Sequence, residues 1–151
     1  MTKSELPSVL QMAHEELHEE MVQATQLGGE TGTAAKAVVK VLFPHVQREE
    51  EFAIPPLALL PRLARGEVSP DMASVLNQSE RMKGELARML DEHKLIVDAL
   101  RNFLRAATAE HHSGHARLAQ KLILHAMMEE EVLYPASILV GEYLKLKLGK
   151  S

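Results

Sequence analysis

Two copies of one word in the sequence carry side chains that could do chemistry. The chain reads HVQREEEFAIP from His45 to Pro55 and HAMMEEEVLYP from His125 to Pro135. Each copy consists of a histidine, three residues, three glutamates, three residues and a proline. Residues four apart on an α-helix share a face, so His45 and Glu49 point the same way. An imidazole beside a carboxylate is a donor pair that suits iron, manganese or zinc.

The second copy places His125 and Glu129 on one helical face for the same reason. Three further histidines, His14, His18 and His93, fall on the apolar faces of helical segments. A lone histidine on an apolar face is more often a hydrogen-bonded core residue than a metal ligand. The convergence of several inward histidines with two inward glutamates is what favours a metal site.

Sequence positions predict that these side chains meet at one level. In two antiparallel helices, residues equally far from the connecting loop face each other. The midpoint of His14 and His45 falls in the GGETG break, and the midpoint of His93 and His125 falls beside the AEHHSGH break. His14 and His93 are 79 positions apart, and His45 and His125 are 80 apart. We therefore expect two pseudo-symmetric halves, each supplying half of one site.

Two inward carboxylates need a partner, because an isolated buried charge is costly. No lysine or arginine falls on the inward stripes near these levels, so a bound cation is the remaining solution. The donors are too numerous for one ion, which predicts two ions bridged by Glu49 and Glu129. The lack of cysteine argues against a structural zinc site. The predicted ligands are His14, His18, His45, Glu49, His93, His125 and Glu129.

The other glutamates of each word leave an alternative open. Glu50 and Glu130 lie five residues after their histidines, and a locally overwound helix would let them replace Glu49 and Glu129 as ligands. The third glutamate of each word is expected to point outward, as are the glutamates on the polar face of the first helix.

These motifs resemble the hemerythrin-like domain, also called the HHE cation-binding family. The resemblance covers the chain from His14 to Pro135. It rests on the two repeated words, on AHEELHEEM around His14 and His18, and on DEHKLIV around His93. Ferritin-like proteins use Glu-x-x-His instead, so the order and spacing here favour hemerythrin.

The resemblance implies a non-haem centre of two iron ions with an oxo or hydroxo bridge. By position, His45 and His125 would be terminal ligands, and Glu49 and Glu129 would be bridges. His93 matches the histidine of its helix. Manganese or zinc in place of iron stays open.

The first helix departs from the family pattern. Oxygen-carrying hemerythrins have a His-x3-His pair on the third helix, where this chain has Val97 at the second position. Here the pair is His14 and His18, on the first helix. Pseudo-symmetry could make the pairs equivalent, or the pocket is altered. If only one of the two binds, level matching favours His14.

Four amphipathic segments must position these residues, since apolar residues recur at helical spacing. They cover about 8–27, 33–54, 69–109 and 116–134. Pro44 predicts a kink or an irregular turn just before His45. We predict an all-α fold, an antiparallel up-down four-helix bundle with one domain over 1–151 and a core over 8–135. Extra short helices are expected in the connector, 55–69, and at the C-terminus, 136–148.

Composition excludes several classes of function. The net charge is −4 and no basic stripe occurs, so nucleic acid is not an expected partner. Without cysteine there are no disulfides and no cysteine-held iron–sulfur cluster. The sequence shows neither a signal-peptide layout nor an apolar run of the ~20 residues that span a membrane. We therefore expect a cytoplasmic protein without a membrane partner.

Three functions fit these observations. The first is a di-iron protein that binds or senses a small diatomic ligand such as O₂ or NO. The second is a di-iron or di-manganese oxidoreductase acting on peroxide or nitrogen oxides. The third is a helical interaction module with merely packed histidines.

The terminal YLKLKLGK and the long third helix could support a homodimer. The expected pocket lining is Leu17, Met21, Leu42, Ile96 and Val132.

No catalytic residue is assigned from the sequence. An oxidoreductase would need a proton donor near the open metal position. Tyr134 and His18 are the candidates, and the sequence leaves open whether Tyr134 faces the site.

Overall fold

The computed structural model describes residues 7–149, and every regular element within them is helical. The prediction of an all-α fold is confirmed, whereas residues 1–6 and 150–151 of the predicted domain lie outside the described residues. None of the described helices combines the length and apolar character needed to cross a bilayer. The helices are α1 (Ser8–Ala24), α2 (Gly29–Arg48), α3 (Leu60–Ala64), α4 (Leu76–Ala109), α5 (Ser113–Met128) and α6 (Tyr134–Leu148).

The long central helix α4 organises the packing. It contacts α2, α5 and α6, while α1 contacts α2 and α5. One apolar cluster joins Ile96 and Leu100 of α4 to α1, α2 and α5. A second cluster joins Met89 of α4 to Phe52 and Tyr134. His93 lies between Met89 and Ile96 along α4, so the predicted site sits between two apolar layers.

The first break lies earlier than predicted, because α1 ends at Ala24 rather than at 27 and α2 starts at Gly29 rather than at 33. α2 starts at Gly29 and includes most of GGETG, because Glu110 completes its first turn. Glu110 accepts hydrogen bonds from the backbone N–H groups of Thr31 (2.7 Å) and Glu30 (3.3 Å). A carboxylate at a helix N-terminus also opposes the positive end of the helix dipole. Gly29 has φ of +71°, a left-handed conformation that suits glycine.

Other boundaries also differ from the prediction. α5 starts at Ser113 rather than at 116, and α6 starts at Tyr134 rather than at 136. The third segment begins as a 3₁₀ helix over Pro70–Val75 and becomes α-helical at Leu76. Pro55–Leu59 is also 3₁₀, and the predicted short helix of the connector is α3.

The irregular turn expected before His45 lies after it. α2 runs through Pro44, and a π-helical turn follows over Glu49–Ala53, with its counterpart over Glu129–Leu133. Ile54 N–H donates to the Glu49 carbonyl at 2.8 Å, an i to i−5 bond. The proline that ends each word explains this geometry, since a proline cannot donate and its ring clashes with the carbonyl four residues earlier. The wider turn relieves that clash.

Close contact with α4 fixes the position of α6. Ser79 of α4 donates its hydroxyl proton to the carbonyl of Ser137 at 2.8 Å. Gly141 faces Ser79 so closely that a Cβ there would lie 2.4 Å from the serine Cβ. α6 therefore packs in close contact with α4, and this contact positions the helix that begins with Tyr134.

Candidate metal centre

Four buried side chains form what we call the inner group: His45, Glu49, His93 and Glu129. All four are at most 3% exposed. One nitrogen or oxygen from each lies within 4.8 Å of the others, so the group could hold a metal ion. α2 and its π turn supply the first two residues, α4 supplies the third, and the π turn after α5 supplies the fourth.

A second set of donors, the outer group, consists of His14, His125 and Glu129. The Nε2 atoms of His14 and His125 lie 3.2 Å apart. An N–H···N hydrogen bond or a bound cation between the two nitrogens accounts for this distance. The outer group therefore also has the chemistry of a cation site, with α1 and α5 each supplying one histidine.

Glu129 belongs to both groups and divides its two oxygens between them. Its Oε1 lies 3.2 Å from His93 Nε2 in the inner group. Its Oε2 lies 3.4 Å from His125 Nε2 and 3.7 Å from His14 Nε2 in the outer group. This is the arrangement of a carboxylate placed between two cation positions.

The Tyr134 hydroxyl lies among the donors of the inner group, which answers the question of orientation that the sequence left open. Its hydroxyl donates to Glu49 Oε2 at 2.7 Å. The same oxygen lies 3.0 Å from Nε2 of His45 and 3.0 Å from Nε2 of His93. Burial and the charges of Glu49 and Glu129 raise the pKa of this phenol, so it is protonated when only protein surrounds it.

The pKa values of the two buried glutamates are shifted in opposite directions when only protein atoms surround them. Burial and the charge of Glu129 raise the pKa of Glu49 well above its usual value. Burial would do the same to Glu129, but hydrogen bonds from Glu49 and the surrounding imidazoles hold its pKa well below the usual range. Glu49, whose raised pKa favours the protonated form, can therefore exchange its proton for a cation.

Glu92 fixes the orientation of His45. His45 Nδ1 donates to Glu92 Oε1 at 2.8 Å, and Arg48 forms an ion pair with the same carboxylate. Burial lowers the pKa of His45 more than its acidic neighbours raise it, which favours the neutral imidazole. Nε2 of His45 therefore presents its lone pair to the inner group, as a metal ligand requires.

The second glutamates of the repeated words face the outward nitrogens of two histidines. His93 Nδ1 donates to Glu130 Oε1 at 3.0 Å, and His14 Nδ1 lies 3.9 Å from Glu50 Oε1. Burial disfavours the charged form of His93, yet Glu129 and Glu130 raise its pKa. Glu130 thus orients His93 from behind, whereas Glu50 lies beyond hydrogen-bond range of His14 Nδ1, which has no hydrogen-bond partner among the described residues.

The third glutamates point outward as expected, and Glu51 pairs with Arg81 at 3.4 Å. His18 lies apart from both groups. It is exposed and stacks on Phe43 with ring centroids 3.9 Å apart. The structure thus brings together His14, His45, Glu49, His93, His125 and Glu129, but not His18.

An apolar pocket adjoins the donors. Leu17, Leu42 and Ile96 line it as predicted, while Met21 lies fully buried in the apolar cluster that adjoins it. Val132 is 55% exposed, and its predicted place in the lining is wrong. The π turn explains this, because the extra residue rotates the following side chains by about 100°. His18 and Phe43 line both this pocket and a surface groove, so the stacked rings separate the two.

Sequence reasoning missed Glu92 and named Tyr134 only as a candidate proton donor whose orientation stayed open. Glu92 is adjacent to His93 in the sequence and points to a different helix, so only the DEH triplet hinted at it. The orientation of Tyr134 depends on the π turn, whose sequence signal is the proline that follows the glutamates in each word.

Comparison of the chain with protein-family models, curated proteins and solved structures returned no match.

Proposed function

We propose that this chain is a hemerythrin-like protein whose inner and outer groups hold two iron ions, and that the centre binds or senses a small diatomic ligand such as O₂ or NO. The observation that supports it most directly is the position of Glu129. Its two carboxylate oxygens face two separate histidine pairs. A carboxylate placed in this way is the natural bridge between two ions.

The proposed architecture is the antiparallel up-down four-helix bundle of that family. The contacts of α1 with α2 and α5, and of α4 with α2 and α5, support it. In such a bundle, metal sites are built from inward side chains on facing helices. α3 and α6 would be additions outside this frame.

The donor chemistry supports iron. The two groups offer imidazole nitrogens and carboxylate oxygens, which suit iron, manganese and zinc, while the chain has no thiolate to favour a softer metal. When bound, a pair of iron ions would supply the redox and ligand-binding chemistry that protein side chains lack. The protein's own part is to orient the donors through Glu92 and Glu130 and to surround the centre with apolar side chains.

The surroundings of the outer group support a small, uncharged ligand. That group has three protein donors, which leaves coordination positions for another molecule. The adjoining pocket is lined by aliphatic side chains such as Leu100, Leu122 and Ala126. An apolar pocket admits a diatomic gas at little cost, whereas a charged substrate would lose its hydration there.

Metal analysis with spectroscopy tests this proposal. The full chain is loaded with iron(II) without oxygen, and bound iron is counted before spectra are recorded under nitrogen, NO and air. We expect two iron ions per chain and spectral changes on exposure to either gas. Glu129→Gln should lose at least one ion, whereas Glu131→Gln, an exposed neighbour, should keep both. Equal iron content in the two variants would refute the bridge.

A second candidate function is the reduction of peroxide or nitrogen oxides. The observation that favours it is the Tyr134 hydroxyl, a proton source hydrogen-bonded to Glu49 within the site. Multiple turnovers of peroxide or NO by the iron-loaded chain would support this function. Stoichiometric binding without turnover would support the first.

A further inference from the structure

Hydrogen bonding alone does not account for the position of the Tyr134 hydroxyl. The side chain is 1% exposed, and its oxygen lies within 3.0 Å of three donors of the inner group. A phenol has a single proton, and this one is directed to Glu49. A doubly protonated His93 could donate its Nε2 proton to this oxygen, so the approach of His45 is the contact that needs another explanation.

The contact with His45 is unfavourable without a positive charge. His45 commits its Nδ1 proton to Glu92, so the neutral ring turns a lone pair towards the phenol oxygen at 3.0 Å. The phenol proton points to Glu49 instead, which leaves two electron-rich atoms facing each other in a buried place. Unsatisfied buried acceptors are costly, and a cation held by both atoms removes the cost.

The distances are those expected of ligands around one ion. Donors about 2.1 Å from an ion and at right angles to each other are about 3.0 Å apart. The phenol oxygen lies 2.7 Å from Glu49 Oε2 and 3.0 Å from each of the Nε2 atoms of His45 and His93. The oxygen is therefore spaced from these three donors as a further ligand of the same ion would be.

We propose that Tyr134 binds the inner ion directly through its phenol oxygen, in addition to His45, Glu49, His93 and Glu129. The inference rests on the proposed dinuclear centre. The phenolic proton leaves to solvent as the ion binds, as for other ligands that must be deprotonated. The inner ion then has five protein donors, and added ligands are directed to the outer ion. Ligation also consumes the proton that a peroxide-reducing mechanism would use.

The repeated sequence supplies this phenol once. The residue 80 positions before Tyr134 is Ile54, which is 2% exposed and has no donor atom. A phenol ligand would therefore distinguish the two ions of an otherwise pseudo-symmetric centre.

Resonance Raman spectroscopy of the full chain tests the assignment. Metal-free protein is loaded with iron(II), oxidised in air, and its iron content is measured in the same samples. We expect a visible phenolate-to-iron(III) absorption band whose Raman ring modes shift when the tyrosines are ring-deuterated. The chain has two tyrosines, and Tyr143 on α6 is exposed, which makes it the matched control. Tyr134→Phe should abolish the band, and Tyr143→Phe should retain it.

The possible results distinguish ligation by Tyr134 from the dinuclear iron centre on which it rests. If wild-type protein binds iron but shows no tyrosine-dependent band, Tyr134 is not a ligand, while the dinuclear centre stands. If wild-type protein binds no iron, both proposals fail. A band that survives in Tyr134→Phe and disappears in Tyr143→Phe would also overturn the assignment. The deuteration shift is measured on wild-type protein, so the test does not depend on the folding of a variant.

Discussion

The inner and outer groups each take donors from both halves of the repeated sequence, yet protein atoms enclose the two groups to different degrees. In the inner group, Glu92 orients His45, and Tyr134 adds an oxygen. In the outer group, the side chain of His125 is 16% exposed. Ala13 precedes His14 on α1 as Glu92 precedes His93 on α4, so a methyl group stands where the inner group has a carboxylate. Duplicated motifs can therefore form unequal sites, because the residues around a ligand decide its orientation and its freedom.

The largest expected effect comes from removing one histidine of each group. His93→Ala should lose the inner ion and weaken the outer one, since the outer group has only three donors and depends more on the shared Glu129. His125→Ala should lose the outer ion alone. We expect each lost ion to bind more than about 100-fold more weakly, beyond the usual effect of an outer-sphere change. Metal content per chain, with circular dichroism to verify folding, measures this, and equal losses in both variants would contradict the difference between the groups.

The carboxylate behind His45 is the next test. Glu92→Gln should lower metal affinity at the inner group by roughly 10–100-fold, because the imidazole loses its orienting acceptor. Glu85→Gln is the matched control, since Glu85 lies on the same helix and contacts Arg88. Competition with a chelator of known affinity gives the constants. Similar affinities in the two variants would show that the Glu92 contact has no influence on the metal.

The missing carboxylate can be supplied to the outer group. Ala13 lines the same surface pocket as His125, so Ala13→Glu should place an acceptor near Nδ1 of His125. We expect affinity for the outer ion to rise by up to about 10-fold, while the inner ion is unaffected. The same titration with Ala13→Gln separates charge from size. A change confined to the inner ion would contradict the correspondence of the halves.

The pH dependence of the metal-free protein tests the buried carboxyl of the inner group. Burial and the charge of Glu129 raise the pKa of Glu49 above the usual 4.5. Its contribution to stability is fully present below the unfolded-state pKa and is lost as the pH rises towards the folded-state value. Above about pH 4.5, the unfolding free energy of wild type should therefore fall relative to Glu49→Gln, which does not titrate.

Urea unfolding of both metal-free proteins between acidic and neutral pH measures that difference. A difference that does not vary with pH would show that Glu49 titrates normally. Iron should reverse the order, because the ionised carboxylate is then a ligand and glutamine is a poorer one.

The smallest effect is expected at the entrance to the pocket. His18 stacks on Phe43 where the pocket meets the surface groove. His18→Ala should speed NO binding to the iron-loaded protein several-fold while metal content stays unchanged. Stopped-flow absorption measures the rate, with Leu146→Ala as an exposed control. Loss of an ion in His18→Ala would instead make His18 a ligand.

Much of the site could be predicted from local periodicity. The i, i+4 spacing was enough to place His45 with Glu49 and His125 with Glu129, and level matching brought His14 and His93 to the same height. Val132 was misplaced because the helical wheel assumes a constant turn of about 100° per residue. The π turn adds one residue to the turn, which moves Val132 outward and Tyr134 inward.

The sequence by itself determined that the chain is helical and that histidines and glutamates from distant segments share one depth. Both follow from residue type and spacing, which short-range geometry dictates. Only the tertiary structure decided that Glu129 divides its oxygens between two histidine pairs, that His18 lies outside, and that Tyr134 enters the inner group. These depend on how α6 docks against α4 and on turn geometry after the glutamates, where a rotation of one residue decides which side chain faces inward.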